Sequence, residues 1–306
     1  MPDFSQPIII LDGATGTELS RRGVDVSLPL WSAHAVLEAP EVLEQVHRDY
    51  LEAGADAITT CTFRTERWTM RKVGLSDDEA RAVTMKAVEI ARRARDAVKP
   101  EAAIFGSVAP LEDCYRPELA PDEATCAREH GIMIETLLEA GVDVILIETQ
   151  NCLRESMAAV MQARTLVPAD GVRGRVRGRG WMVSFCLKRE GPPCTLLSDE
   201  SLTEVLPELG DAFAVGVNCT AAPSTESQVK LMRHLVPKTA RIAAYANIGY
   251  ADPMGQWVST DAIDPERYAA YADQWIADGA TIIGGCCGTR PAMIKAIAEH
   301  VHERVG

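Results

Sequence analysis

No stretch of this 306-residue chain is apolar for long enough to cross a bilayer, although 47% of its residues are hydrophobic. The opening residues, Met1-Pro-Asp-Phe-Ser-Gln-Pro7, lack the basic region and apolar core of a secretory signal. Positive charge is also short: 31 lysines and arginines face 44 acids, a formal net charge of −13. A broad nucleic-acid footprint needs concentrated basic surface, so neither nucleic acid nor membrane is expected as a partner. The local basic run Arg173-Gly-Arg-Val-Arg-Gly-Arg179 has no interleaved aromatics and reads as a solvated loop. The glycine-rich turn Asp12-Gly-Ala-Thr-Gly-Thr17 fits no GxGxxG pattern and lacks the lysine of a phosphate-binding loop. Nine cysteines scattered through a chain without a leader favour a reducing cytoplasm over a disulfide scaffold.

What is present is a regular series of short apolar runs, each leading into a polar or glycine-rich turn. They cover residues 8–12, 57–60, 103–107, 144–148, 182–185, 214–218, 242–246 and 281–284. Continuous rather than alternating apolar strands suit a parallel sheet covered on both sides. The intervals are long enough for a loop and a helix each time. Ser76 caps an acidic first turn at Asp77-Asp-Glu79; Pro121-Asp-Glu-Ala124 opens a pattern ending near Gly141; Asp264-Pro-Glu-Arg267 pairs a cap with proline at the first helical position. A last helix follows Thr289-Arg-Pro291. No linker or compositional break divides the chain. The reading is an α/β fold, one (β/α)8 TIM barrel domain over residues 1–306, whose functional groups gather where strands end and βα loops begin.

Three cysteines occupy such ends. Cys219 follows the sixth run, and Cys286 and Cys287 follow the eighth within Gly284-Gly-Cys-Cys-Gly288. The surrounding glycines are expected to let the backbone turn sharply beside the pair. Three convergent thiolates suit Zn2+ with its fourth tetrahedral position open, the arrangement of catalytic zinc. Such a site is electron-rich, and a thiol in the open position loses its proton readily while staying nucleophilic. None of the six histidines lies at a strand end, which disfavours hydrolytic zinc, and no strand contains or ends in lysine, which disfavours a Schiff-base lyase.

Asp12-Gly-Ala-Thr-Gly-Thr17, Glu148-Thr149, Val217-Asn-Cys219 and Gly284-Gly-Cys-Cys-Gly288 occur in that order over nearly the whole chain. In this the chain resembles the homocysteine-binding barrel of the homocysteine S-methyltransferases, shared by betaine-, S-methylmethionine- and cobalamin-dependent enzymes. The resemblance implies zinc on Cys219, Cys286 and Cys287, and homocysteine thiolate attacking an activated methyl group to give methionine. It places Glu148 at the amino group of homocysteine, with Asp12 orienting that group or the first loop. The backbone of Ala14, Thr15, Gly16 and Thr17, with Ser107 and Val108, is expected to hold the carboxylate. Asn218 is expected to orient Cys219 or the substrate, and a structural hydrogen bond fits the sequence equally well.

Departures from the family bear on the methyl donor. Thr149 stands where the betaine enzymes carry an aromatic, and no corrinoid or folate module is appended. Thr60-Cys-Thr-Phe63 replaces Thr-Asn-Thr-Phe, Gly106-Ser-Val-Ala-Pro110 replaces Gly-Ser-Val-Gly-Pro, and the insert Leu111-Glu-Asp-Cys-Tyr-Arg-Pro117 reshapes the donor side. A sulfonium donor, S-methylmethionine or S-adenosylmethionine, is the favoured expectation. Trp31, Phe63, Tyr115 and Trp257 are candidates for cation–π contact with it. The alternatives are a thiol-binding subunit, another onium donor, or a separate corrinoid methyl-carrier protein. A monomer or homodimer is expected in preference to an elaborate oligomer.

Overall fold

The computed structural model describes residues 4–167, 180–252, 254 and 256–305; the arginine-rich run at 173–179 lies outside them. Each of the eight apolar runs is a strand: β1 (Ile9–Ile10), β2 (Ala57–Thr59), β3 (Ala103–Val108), β4 (Val144–Gln150), β5 (Trp181–Phe185), β6 (Ala214–Ala221) and β7 (Arg241–Asn247), then β10 (Ile282–Gly285). All pair in parallel, in the order β1-β10-β7-β6-β5-β4-β3-β2. A parallel bridge from Leu11 to Ala57, backed by Asp12 N–H donating to the Ala57 carbonyl at 3.0 Å, joins β2 to the end of β1 and closes the ring. Two short antiparallel strands, β8 (Gly249–Ala251) and β9 (Trp257–Ser259), form a hairpin between β7 and the next helix that sequence patterning did not anticipate.

The barrel closes because its two faces are both apolar. Ile9, Leu11, Phe105, Leu146, Met182 and Tyr245 belong to one buried cluster; the alternate strand residues, such as Ile10, Ile58, Ile145 and Val215, pack with the helices in a second. Three of the helices begin where a capping residue stands. Ser76 Oγ accepts from Glu79 N–H while Glu79 accepts from Ser76 N–H, opening the helix Asp77–Val98. Asp122 caps Glu123–Ala140, which Gly141 ends in the left-handed conformation, and Asp264 caps Pro265–Ala277. None of the described helices is long and apolar enough to span a membrane.

Among the described buried polar residues, His47 is the one with two unpartnered nitrogens. His47, on the helix Pro40–Glu52, is fully buried and neither ring nitrogen has a hydrogen-bond partner among the described residues. Burial pushes its pKa down to about 4 from 6.5. The unfolded chain therefore takes up this proton first as pH falls below 6.5, and the folded state resists it until about 4. Stability is full above that window and declines through it as acid is added. His47→Leu removes the unmet polar group, and is expected to stabilise the fold by about 1–3 kcal/mol at pH 7. It should also flatten the fall in Tm between pH 6.5 and pH 4.5. Parallel Tm-versus-pH curves for the two proteins would refute this account.

Candidate metal and thiol site

The site is built at the carboxyl ends of β4, β6, β7 and β10. Both β4 and β6 run past the expected ends at Glu148 and Asn218, because each contains an irregularity in its register. At each irregularity one residue adopts a left-handed backbone: Thr149 at φ 60° and Cys219 at φ 53°. For residues with a Cβ this conformation is uphill by about 1–2 kcal/mol and requires support. Asn218 supplies it at Thr149. Its Oδ1 accepts from Thr149 N–H at 3.0 Å and from Ser184 Oγ at 2.8 Å, while its Nδ2 donates to Thr149 Oγ1 at 2.8 Å. Asn218 is completely buried and spent on this strut, so the structural hydrogen bond is the role its geometry supports.

The kinks bring three sulfurs together. Cys219 Sγ lies 2.7 Å from Cys286 Sγ, and the Cys219, Cys286 and Cys287 sulfurs all fall within 4.8 Å of one another. Among the described residues this is the one metal-competent cluster of its kind. Tetrahedral zinc with Zn–S bonds of about 2.3 Å needs sulfurs roughly 3.8 Å apart, inside this range. Hydrogen bonds from the Cys219 and Cys286 thiols hold the Cys287 pKa well below the ordinary thiol value, so the cluster already favours a thiolate. Soft, anionic and half-buried, the donor set fits zinc.

Asn247, at the tip of β7, holds the two cysteine segments in register. Its Nδ2 donates to the Cys219 carbonyl at 2.9 Å, and its Oδ1 accepts from Cys287 N–H at 2.9 Å. Sequence reasoning missed this residue; its position between the two cysteine-bearing strands was the available signal. The glycines divide two roles between them. Gly288, at φ 83°, provides the turn, whereas Gly285 is needed for space: a Cβ there would sit 2.3 Å from Thr289 Oγ1.

These sulfurs line the wall of a cavity of about 400 Å³ together with Asp12, Ser107 and Glu148. Ser107 Oγ donates to Glu148 Oε1, and burial raises the Glu148 pKa to about 7 against that bond. Burial raises Asp12 to about 8; its two oxygens accept from Thr59 N–H at 2.8 Å and Thr59 Oγ1 at 2.9 Å. The first loop is stitched to the cysteine loop, since Ala14 N–H donates to Thr289 Oγ1 at 3.1 Å and Gly288 N–H to Thr17 Oγ1 at 2.9 Å. Ala14 has thus used its donor. The N–H groups of Thr15, Gly16 and Thr17 open the helix Thr15–Arg21 without a side-chain cap.

The donor side is formed by the insert after β3. Arg64 donates to the Pro110 carbonyl at 2.9 Å and the Glu112 carbonyl at 2.8 Å; Glu155 accepts from Leu111 N–H at 2.7 Å; Asn151 Nδ2 donates to the Cys114 carbonyl at 3.0 Å. Held this way, the loop presents Tyr115, whose ring is half exposed and lines the same cavity as Cys287. All four aromatics singled out in the sequence, Trp31, Phe63, Tyr115 and Trp257, reach the cavity wall.

Comparison with known proteins agrees with this site. The family described as Homocysteine S-methyltransferase matches residues 9–301. The chain is 33% identical to the Homocysteine S-methyltransferase YbgG of Bacillus subtilis, across 95% of this chain and 94% of that protein. It is 28% identical to a selenocysteine methyltransferase of Astragalus bisulcatus, across 94% and 90%. The metallated form of the Escherichia coli homocysteine methyltransferase MmuM superposes with a TM-score of 0.80 at 30% identity, covering 97% of each chain. With its barrel, its thiol cluster and these relatives, the chain belongs to the homocysteine S-methyltransferase family.

Proposed function

We propose that the protein methylates the thiolate of homocysteine from a sulfonium donor, S-methylmethionine or S-adenosylmethionine, with zinc held by Cys219, Cys286 and Cys287. The observation that carries the reading is one cavity with three sulfurs in its wall and four aromatic side chains around them. Bound zinc would supply thiol acidification, since a coordinated thiol is held as thiolate. The chain's residues do the rest. Glu148, steadied by Ser107, accepts from the ammonium of the acceptor, and Asp12 fixes β2 against the first loop through Thr59. The free N–H groups of Thr15, Gly16 and Thr17 face the acceptor carboxylate.

The acceptor thiol releases its proton to solvent, and its sulfur lone pair forms a bond to the donor methyl carbon. The methyl–sulfur bond of the donor breaks with its electron pair, leaving a neutral thioether. Aromatic faces favour the positive donor over that product by cation–π attraction of about 0.5–2 kcal/mol each. Thr149 is small, and its Oγ1 lies 3.9 Å from Cys219 Sγ in the cavity wall.

The test is a donor screen on zinc-loaded protein, with homocysteine and trideuteromethyl-labelled S-methylmethionine, S-adenosylmethionine or betaine. Labelled methionine is expected from a sulfonium donor. Label arriving from betaine alone would overturn the donor assignment. Zinc and homocysteine binding with no turnover until a corrinoid protein is added would favour a subunit that works with a methyl carrier.

A further inference from the structure

Arg64 is 6% exposed and contributes to the cavity wall. It is the only basic side chain lining the cavity among the described residues, against the carboxyl groups of Asp12, Asp113 and Glu148. Its guanidinium carries five N–H donors, and the two bonds to the Pro110 and Glu112 carbonyls leave the others without a partner among the described residues. No carboxylate lies within 4.0 Å of it: Glu112 is taken by Lys72 and Trp68, and Glu66 by Thr69. Glu66 and Glu112 feel its charge at longer range but neither bonds it directly, so the guanidinium keeps the capacity to pair with an anion brought by a ligand.

Two amino-acid carboxylates enter this cavity if both acceptor and donor are amino acids. The proposed function gives one of them to the first loop, which follows β1. Arg64 follows β2 and stands with Phe63, whose ring lies 5.3 Å from the guanidinium carbon, and with the loop that carries Tyr115.

We infer that Arg64 is a specificity-determining residue that binds the carboxylate of the methyl donor, selecting amino-acid sulfonium compounds over sulfonium compounds lacking that group. The inference rests on the sulfonium reading above. It assigns to one buried guanidinium the task of fixing the donor's tail while the aromatic residues meet its charged head. Arginine suits this because its planar fork matches a carboxylate.

The experiment pairs S-methylmethionine with its carboxamide, which keeps the sulfonium and removes the anion. Binding of each to zinc-loaded protein is measured by calorimetry, and turnover with homocysteine is measured alongside, for wild type and Arg64→Gln. Glutamine can still donate to a loop carbonyl. Wild type is expected to prefer the carboxylate roughly 10- to 100-fold, the worth of a charge-assisted bond, and Arg64→Gln to lose most of that preference. The KM for homocysteine should stay within about twofold, as expected for sites that do not share partners.

Equal losses on both donors would overturn the inference, because Arg64 would then serve only to hold the loop. A rise confined to the homocysteine KM would also overturn it, by assigning Arg64 to the acceptor. Failure of wild type to bind either donor overturns it as well. Selective binding that Arg64→Gln abolishes, without methyl transfer in wild type, would leave Arg64 as a carboxylate site and remove the donor assignment instead.

Discussion

Cys219→Ser, Cys286→Ser and Cys287→Ser are each expected to lose stoichiometric zinc and at least about 10³-fold in methyl transfer, since a hydroxyl is a poor, protonated substitute for a thiolate ligand. Fold stability should change little, because the barrel is built from two large apolar clusters. Metal content after dialysis, circular dichroism and initial rates separate the two effects. The three variants should be alike in zinc loss although the sulfurs differ in local chemistry, Cys287 being the favoured thiolate. Full metal retention in all three would remove the basis for the proposed site.

Asn247→Ala should produce the second-largest effect. It deletes both bonds that tie the Cys219 carbonyl to the Cys287 N–H, leaving two backbone groups unmet at a site where Asn247 is only 2% exposed. Zinc affinity is expected to fall about 10- to 100-fold, the usual cost of losing an outer-shell partner. Stability should drop by about 1–3 kcal/mol in the absence of added metal. Chelator competition gives the first number and denaturant titration the second. A variant that bound zinc like wild type would mean that the cysteine loops hold their spacing without this bridge.

The architecture was readable because each strand is a continuous apolar run and three of the long helices open on their own capping residues. Ser76, Asp122 and Asp264 cap where their types and positions indicate. The cysteine trio was readable for a related reason: strand ends in a parallel barrel meet at one mouth, so position in sequence became position in space. Other features depend on pairings that no local pattern encodes. Asn247 looks like any polar strand terminus until the segments on either side are seen to need it. Arg64 reaches carbonyls 46 and 48 residues away. The left-handed turns at Thr149 and Cys219 occur at residues that rarely adopt them, so composition gave no hint, and both strands were expected to stop short. The hairpin of β8 and β9 is a loop elaboration with exposed side chains, and apolar periodicity is silent about such additions.

The anchoring of the segment at 110–116 limits how this enzyme can be re-engineered. Its tethers come from two separate stretches of chain, Arg64 after β2 and Asn151 with Glu155 after β4. A grafted loop of different length would take a partner from a buried guanidinium, amide and carboxylate at once. Donor preference is therefore changed more safely by altering side chains on the existing backbone than by exchanging the loop itself.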